Sequence, residues 1–251
     1  MTTQDRLHFA VYSPALVDDN GRTLAVVHGI ERALPGLRLE WEVGKGGRPI
    51  KLPQRDAWLS EAATRGKFPL LCNGDESYPV TISGLKTPAS QAPGGQPLLD
   101  VHADLPLDAT VIAAASSVLE GIAEGARAFW GYSSSEGYGS EVAQQMRRSD
   151  HGPERSPRGL PMLKFPEKIR SPEIPYYLGW LNYWSPAAAQ AIGFPDPARD
   201  ADLLSRARRT ATGGWVVQLT DAPLDLDTPA HLDALKRAYE RFPAIGGRSA
   251  P

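Results

Sequence analysis

Five histidines, His8, His28, His102, His151 and His231, are the side chains of this sequence most suited to moving protons near neutral pH. They are scattered, with no His-Glu-x-x-His pair, and the single cysteine, Cys72, excludes the usual cysteine-rich zinc frameworks. No metal site and no cofactor is expected. His28 and Glu31 stand one helical turn apart, which an ordinary, partly exposed helix face explains. His102 falls within a strand pattern, where a hydrogen-bonded structural histidine is the simpler reading.

Nucleophilic chemistry finds little support. A nucleophile elbow requires Gly-x-Ser-x-Gly after a strand; Gly131-Tyr132-Ser133-Ser134-Ser135 lacks the second glycine and follows a helical pattern. Glu40 and Glu42 share one face of a strand, whereas a glycosidase pair faces across a cleft. Gly44-Lys45-Gly46-Gly47-Arg48-Pro49 has the glycines of a phosphate loop but no Gly-Lys-Ser/Thr, and Pro49 removes an N–H. It reads as a tight hairpin turn.

Recognition chemistry is better represented. Tyr176, Tyr177, Trp180, Tyr183 and Trp184 lie within nine residues, with Trp130, Tyr132 and Tyr138 earlier in the chain. Strand alternation would send some inward as core and leave others as anchors for a protein partner. Asp196, Asp200, Asp202, Asp221, Asp225 and Asp227 follow; converged, they would meet a basic surface, and separately they serve as caps and turns.

The elements that must position these groups follow from periodicity. A strand is expected over 7–12, then a helix through Leu24, Val27, Ile30 and Leu34, with Asp18 to Asn20 as cap candidates and Pro35-Gly36 as its stop. Leu37 to Val43 alternates as a half-buried strand. A short helix over 53–64, strands over 68–71 and 78–85, a loop over 87–97 and a strand over 98–105 come next. The strongest helix follows Asp108, with Val111, Ala115, Val118, Leu119, Ile122, Ala126 and Phe129 on one face. Residues 131–175 read as a long irregular segment with weak helicity over 136–148, either partly disordered or organised by a partner. Further on, an aromatic strand over 176–184 ends at Ser185-Pro186, which start a helix closed by Gly193. Another helix is expected from Asp196-Pro197, with Arg206, Arg208 and Arg209 at its C-terminal end. A strand over 215–219 and a helix after Asp227-Thr228-Pro229 complete a single α+β domain over 1–251, a mixed, mainly antiparallel sheet covered by helices.

Composition narrows the function. With 41% hydrophobic and 22% charged residues, the 251-residue chain can bury a substantial core. A net charge of −2 argues against a direct nucleic-acid binder. The lone thiol suits a reducing compartment, the N-terminus lacks export-signal grammar, and no apolar run approaches the roughly 20 residues that span a bilayer, so a cytoplasmic protein is expected.

Gly179-Trp180-Leu181-Asn182-Tyr183-Trp184, and Val217-Gln218-Leu219-Thr220-Asp221-Ala222-Pro223-Leu224-Asp225-Leu226-Asp227-Thr228-Pro229-Ala230-His231, resemble immunity proteins of bacterial polymorphic toxin systems. The group most similar is that paired with restriction-endonuclease-fold toxins. Leu119-Glu120-Gly121 and Trp130-Gly131-Tyr132 fit the same layout, and the segments Ala25–Gly29 and Leu71–Glu76 resemble a related uncharacterised bacterial family. The resemblance implies a cytoplasmic α+β protein that neutralises a cognate toxin, a nuclease in that group, by stoichiometric binding without catalysis. Tyr176, Tyr177, Trp180, Tyr183, Trp184, Asp196, Asp200, Asp221 and Asp225 are the candidate toxin contacts. The competing readings are a hydrolase using His28 or His102 with nearby carboxylates, and a structural component of a bacterial assembly.

Overall fold

Apolar residues at every second position of β1 (Arg6–Pro14) place Leu7, Phe9 and Val11 on one side of the strand and His8, Ala10 and Tyr12 on the other. The computed structural model, which describes residues 5–17, 21–146 and 156–248, puts this strand near the middle of a ten-stranded sheet. After α1 (Arg22–Ala33) the chain forms the hairpin β2 (Trp41–Val43) and β3 (Pro49–Lys51), turning at the glycines expected to turn there. Then follow α2 (Arg55–Thr64), β4 (Leu71–Cys72), β5 (Thr81–Thr87), β6 (Leu98–Pro106), α3 (Ala109–Ala126), β7 (Trp130–Ser135) and α4 (Tyr138–Met146). The last third supplies β8 (Leu181–Trp184), α5 (Pro186–Ile192), α6 (Ala201–Leu204), β9 (Ala207–Arg209), β10 (Trp215–Gln218) and α7 (Pro229–Arg241). The sheet order is β3-β2-β4-β5-β6-β1-β7-β8-β10-β9, and every neighbouring pair is antiparallel.

Register fixes the two faces. Val11 lies opposite Val101 on β6 and Gly131 on β7, and Gly131 lies opposite Tyr183 on β8. The Tyr183 hydroxyl donates to Glu124 on α3 at 2.9 Å, so this row faces α3, which packs on the sheet and against α1. The row Asp100, Tyr12, Trp130, Trp184 therefore points the other way. That second face is covered over β7 and β8 by α4, α7 and the segment 156–178, with Trp184 packed edge-on to Phe242 just beyond α7. Towards β5 it is open, and Leu85 is 60% exposed.

Several local signals act as expected. The Asp108 side chain accepts from the Val111 N–H at 2.8 Å and starts α3, and Ser185 caps α5 by accepting from the Ala188 N–H. By length and mean hydropathy, 1.2 over 18 residues, α3 is apolar enough to cross a membrane, which its sequence did not suggest; its apolar stripe, Val111 to Ala126, is buried in the core against the sheet and α1. It also ends earlier than its periodicity suggests, because Arg127 turns left-handed at φ 53° and diverts Ala128 and Phe129 towards β7.

Four expectations are corrected. The segment 131–175 begins with β7, a central strand: Gly131 permits it, since a Cβ there would lie 2.6 Å from the Val11 side chain, and tertiary pairing overrides the weak propensity of a serine run. Beyond α4, the part over 156–175 packs on its own chain through Leu160, Leu163 and Ile169, all buried. The helix after Pro197 shortens to the single turn α6, and Arg208 and Arg209 belong to the edge strand β9. The strands expected over 37–43 and 176–184 contract to β2 and β8. The cap candidates Asp18 to Asn20, together with His151, lie outside the described residues.

Candidate functional site

Alternation on β1, β6 and β7 delivers Tyr12, Asp100 and Tyr132 to the second face, beside the open stretch of sheet. With α4 and the segments around 166 and 176 as walls, they line a cavity of about 540 Å³. Its floor is an aromatic mosaic. Tyr12 stacks on Trp130 at 4.2 Å between ring centres, Tyr176 meets Trp130 edge-on at 4.7 Å, and Tyr177 meets Tyr132 edge-on at 4.8 Å. The Tyr12 and Tyr177 hydroxyls are 3.1 Å apart. Burial pushes the phenols of Tyr12, Tyr132 and Tyr177 well above their ordinary range, so they remain neutral hydrogen-bonding groups.

Two carboxylates complete the lining, Asp100 and Glu167. Asp100 Oδ2 accepts from the Thr87 hydroxyl at 2.6 Å, while Oδ1 is buried with no hydrogen-bond partner among the described residues. Burial raises the Asp100 pKa, opposed by the Thr87 hydrogen bond. The chemistry on offer is aromatic contact, phenolic hydrogen bonding and a half-satisfied anion.

A second polar constellation lies on the same face. His8 Nδ1 donates to Asp104 Oδ1 at 2.8 Å, because a carboxylate can only accept; on its other side His8 Nε2 shares a hydrogen bond with His102 Nδ1 at 3.3 Å. Burial, followed by the neighbouring His8, lowers the His102 pKa to about 4, with Asp104 opposing. For Asp104, burial acts against ionisation, but the His8 hydrogen bond and the charges of His8, Arg6 and His102 hold its carboxyl below the usual range. A pH dependence follows. An unfolded histidine takes up a proton near pH 6.5, whereas folded His102 resists until about pH 4, so stability present above pH 6.5 is lost as pH falls through that window, by at most about 3 kcal/mol. Melting temperatures between pH 7.5 and 4.5 should fall less steeply for His102→Gln than for wild type; parallel curves would refute this assignment.

The structure separates the residues singled out in the sequence. Tyr176 and Tyr177 join the cavity. Trp180, Tyr183 and Trp184 are core residues: the Trp180 indole donates to the Thr220 carbonyl at 2.7 Å, Tyr183 is bound to Glu124, and Trp184 is fully buried against Phe194 and Phe242. Tyr176 is also 96% buried by its neighbours, at 4% exposure, so none of these four stands out as a surface anchor. The aspartates do not converge. Asp200 is buried in an ion pair with Arg241; Asp196 accepts from the Ala198 N–H in the preceding turn; Asp225 accepts from the Asp227 N–H and the Thr228 hydroxyl at the entry to α7; Asp221 is exposed. His28 pairs with Asp56 at 3.1 Å, while Glu31 is engaged by Arg55 and by the Leu39 N–H. Sequence reading missed Tyr12, Thr87, Asp100 and the His8–Asp104 contact. A signal was present in the polar residues at every second position of 98–105, but only strand register shows what lies opposite them.

Three comparisons bear on the whole chain. No curated protein sequence matches it. Its fold is similar to that of the Pseudomonas aeruginosa T6SS protein PA0821, with a TM-score of 0.59 at 18% identity, over 95% of this chain and 76% of that one. The model of the family described as Domain of unknown function (DUF5953) matches residues 18–250, and the chain belongs to that family.

Proposed function

We propose that this protein is an immunity protein, which binds a cognate bacterial toxin in the cytoplasm and neutralises it stoichiometrically. The observation that carries this reading is the cavity: phenols, aliphatic side chains and two carboxylates beside an open sheet face are equipped to recognise a protein surface. The fold likeness to a type of protein named for T6SS supports it, as does the sequence resemblance of 179–184 and 217–231 to polymorphic-toxin immunity proteins. A nuclease toxin presents a basic nucleic-acid-binding surface, which suits an acidic, aromatic counterpart.

Co-expression with the toxin-like product of a neighbouring gene tests the proposal. Restored growth and a 1:1 complex on size-exclusion chromatography with light scattering are the expected results. Failure to bind or to protect against any such product overturns it.

The Asp104–His8–His102 chain favours one second reading, an acid–base centre on the open face. Substituting both histidines by Gln separates the two. Unchanged protection by the double variant supports neutralisation by binding, whereas lost protection with complex formation intact supports chemistry at the histidines.

A further inference from the structure

We infer that the cavity is a receptor for an arginine side chain presented by the protein partner, held between the phenol rings and the Asp100 carboxylate. This deepens the immunity reading and rests on it for the source of the arginine.

Four observations converge. First, among the described residues the lining includes the acidic side chains of Asp100 and Glu167 but no Lys, Arg or His. Second, Asp100 is half satisfied: Thr87 serves Oδ2, and buried Oδ1 has no partner among the described residues. An unpaired buried acceptor is costly, and a guanidinium, with five N–H donors in a planar fork, is the side chain best shaped to satisfy it once the Asp100 carboxylate turns towards the cavity. Third, Tyr12, Tyr132, Tyr176 and Tyr177 contribute aromatic rings, whose quadrupoles attract a cation and on which a guanidinium packs well. Fourth, exposed apolar residues adjoin the lining. Leu85, 60% exposed, lies opposite Asp100 in the β5–β6 register, and Phe165, 38% exposed, precedes Pro166. Apolar contacts around a desolvated charged anchor are the arrangement in which one residue dominates an interface.

The raised pKa of Asp100 agrees with this geometry, since its cause is burial, whose cost to the carboxylate a bound cation would offset. The size of the cavity agrees too. At about 540 Å³ it lies within the range of about 300–1,000 Å³ typical of ligand sites and accommodates a long side chain together with the backbone that carries it.

The test requires no toxin. Nα-acetylarginine methylamide is titrated into the full chain while the methyl resonances of Val142 and Met146, both in the lining, are followed by NMR. The neutral isostere Nα-acetylcitrulline methylamide is titrated in parallel. Saturable shifts with the arginine probe, at least tenfold weaker binding of the citrulline probe, and at least tenfold weaker arginine binding to Asp100→Asn are expected. No saturable shift, or equal binding of the two probes to wild type, overturns the proposal even if the Asn variant proves unstable. Failure of the immunity reading is distinguishable from failure of the cation site. Probe binding without neutralisation of any neighbouring toxin leaves the site standing and removes immunity; neutralisation without probe binding does the reverse.

Discussion

Gly29→Val should destabilise the protein by about 3 kcal/mol, among the largest losses expected from adding atoms at any one position. The cause is the crossing of α1 over α3. A Cβ at Gly29 would lie 2.3 Å from the Gly121 carbonyl oxygen and 2.6 Å from its carbon, and a Cβ at Gly121 would lie 2.7 Å from the Gly29 oxygen. These are backbone atoms, so no side-chain rotation relieves the contact. Separation of the helices is the remaining response. It is resisted from below, because Val111, Ala115, Val118, Leu119, Ile122, Ala123 and Ala126 bury α3 in the core. A Cβ at Gly125 would likewise lie 2.5 Å from the Val26 backbone nitrogen, which repeats the same constraint one turn later. Valine at Gly121 should act similarly, and the double variant should lose less than the sum, since either change alone forces the helices apart. Gly139→Ala in α4 is the control: nothing lies within 4 Å of the added Cβ, and helix propensity predicts a gain of about 0.5–1 kcal/mol. Urea denaturation of the three single variants checks the set. A Gly29→Val protein within 1 kcal/mol of wild type would mean that α1 and α3 do not cross at these glycines.

The same helix pair shows what a sequence discloses. The stripes of α1 and α3 are legible because helical spacing is local, and so are the caps at Asp108 and Ser185, where one side chain meets an N–H three residues on. That Gly29 and Gly121 touch is not legible, because it depends on how two distant helices cross. β7 was hidden for a related reason. Apart from Tyr132, its residues Gly131 to Ser135 have little strand propensity, and pairing with β1 and β8 on either side holds them extended. The aromatic run over 176–184 shows the converse. Alternation correctly separates Trp184 from Tyr183, but β8 has helices over both faces, so neither becomes a surface anchor. The antiparallel sheet and its helical cover could thus be read from periodicity, while the cavity could be read only in part, through Tyr132, Tyr138, Tyr176 and Tyr177. Its other principal groups, Tyr12 and Asp100, are 88 positions apart in the numbering and opposite each other in the sheet.

Asp200→Ala should cost about 3–5 kcal/mol, an effect that decides how mutations in the acidic stretch are interpreted. The Asp200 side chain is 0% exposed. Its carboxylate takes a bidentate contact from Arg241, Nε to Oδ1 at 2.6 Å and Nη2 to Oδ2 at 2.9 Å, and Oδ2 also accepts from the Asp196 N–H at 2.7 Å. Arg241 Nη2 further donates to the Gly193 carbonyl at 2.8 Å, so the pair ties α7 to the turns on both sides of 194–199. Removing the carboxylate leaves a guanidinium only 17% exposed without its counterion, which costs far more than the net worth of the pair. Replacing both partners by apolar residues, Asp200→Leu with Arg241→Met, should therefore recover most of the loss. Asp221→Ala, at an exposed position, should stay within about 0.5 kcal/mol of wild type. A double-mutant cycle by urea denaturation measures these terms, and a single Asp200→Ala change that leaves stability nearly intact would refute the structural role. The order of effects has a functional consequence. In a neutralisation assay, loss of protection by Asp200→Ala would report unfolding, and recovery by the apolar double variant would show that the toxin never needed the charge. Loss of protection by Asp221→Ala, with stability unchanged, would instead place a toxin contact at that aspartate.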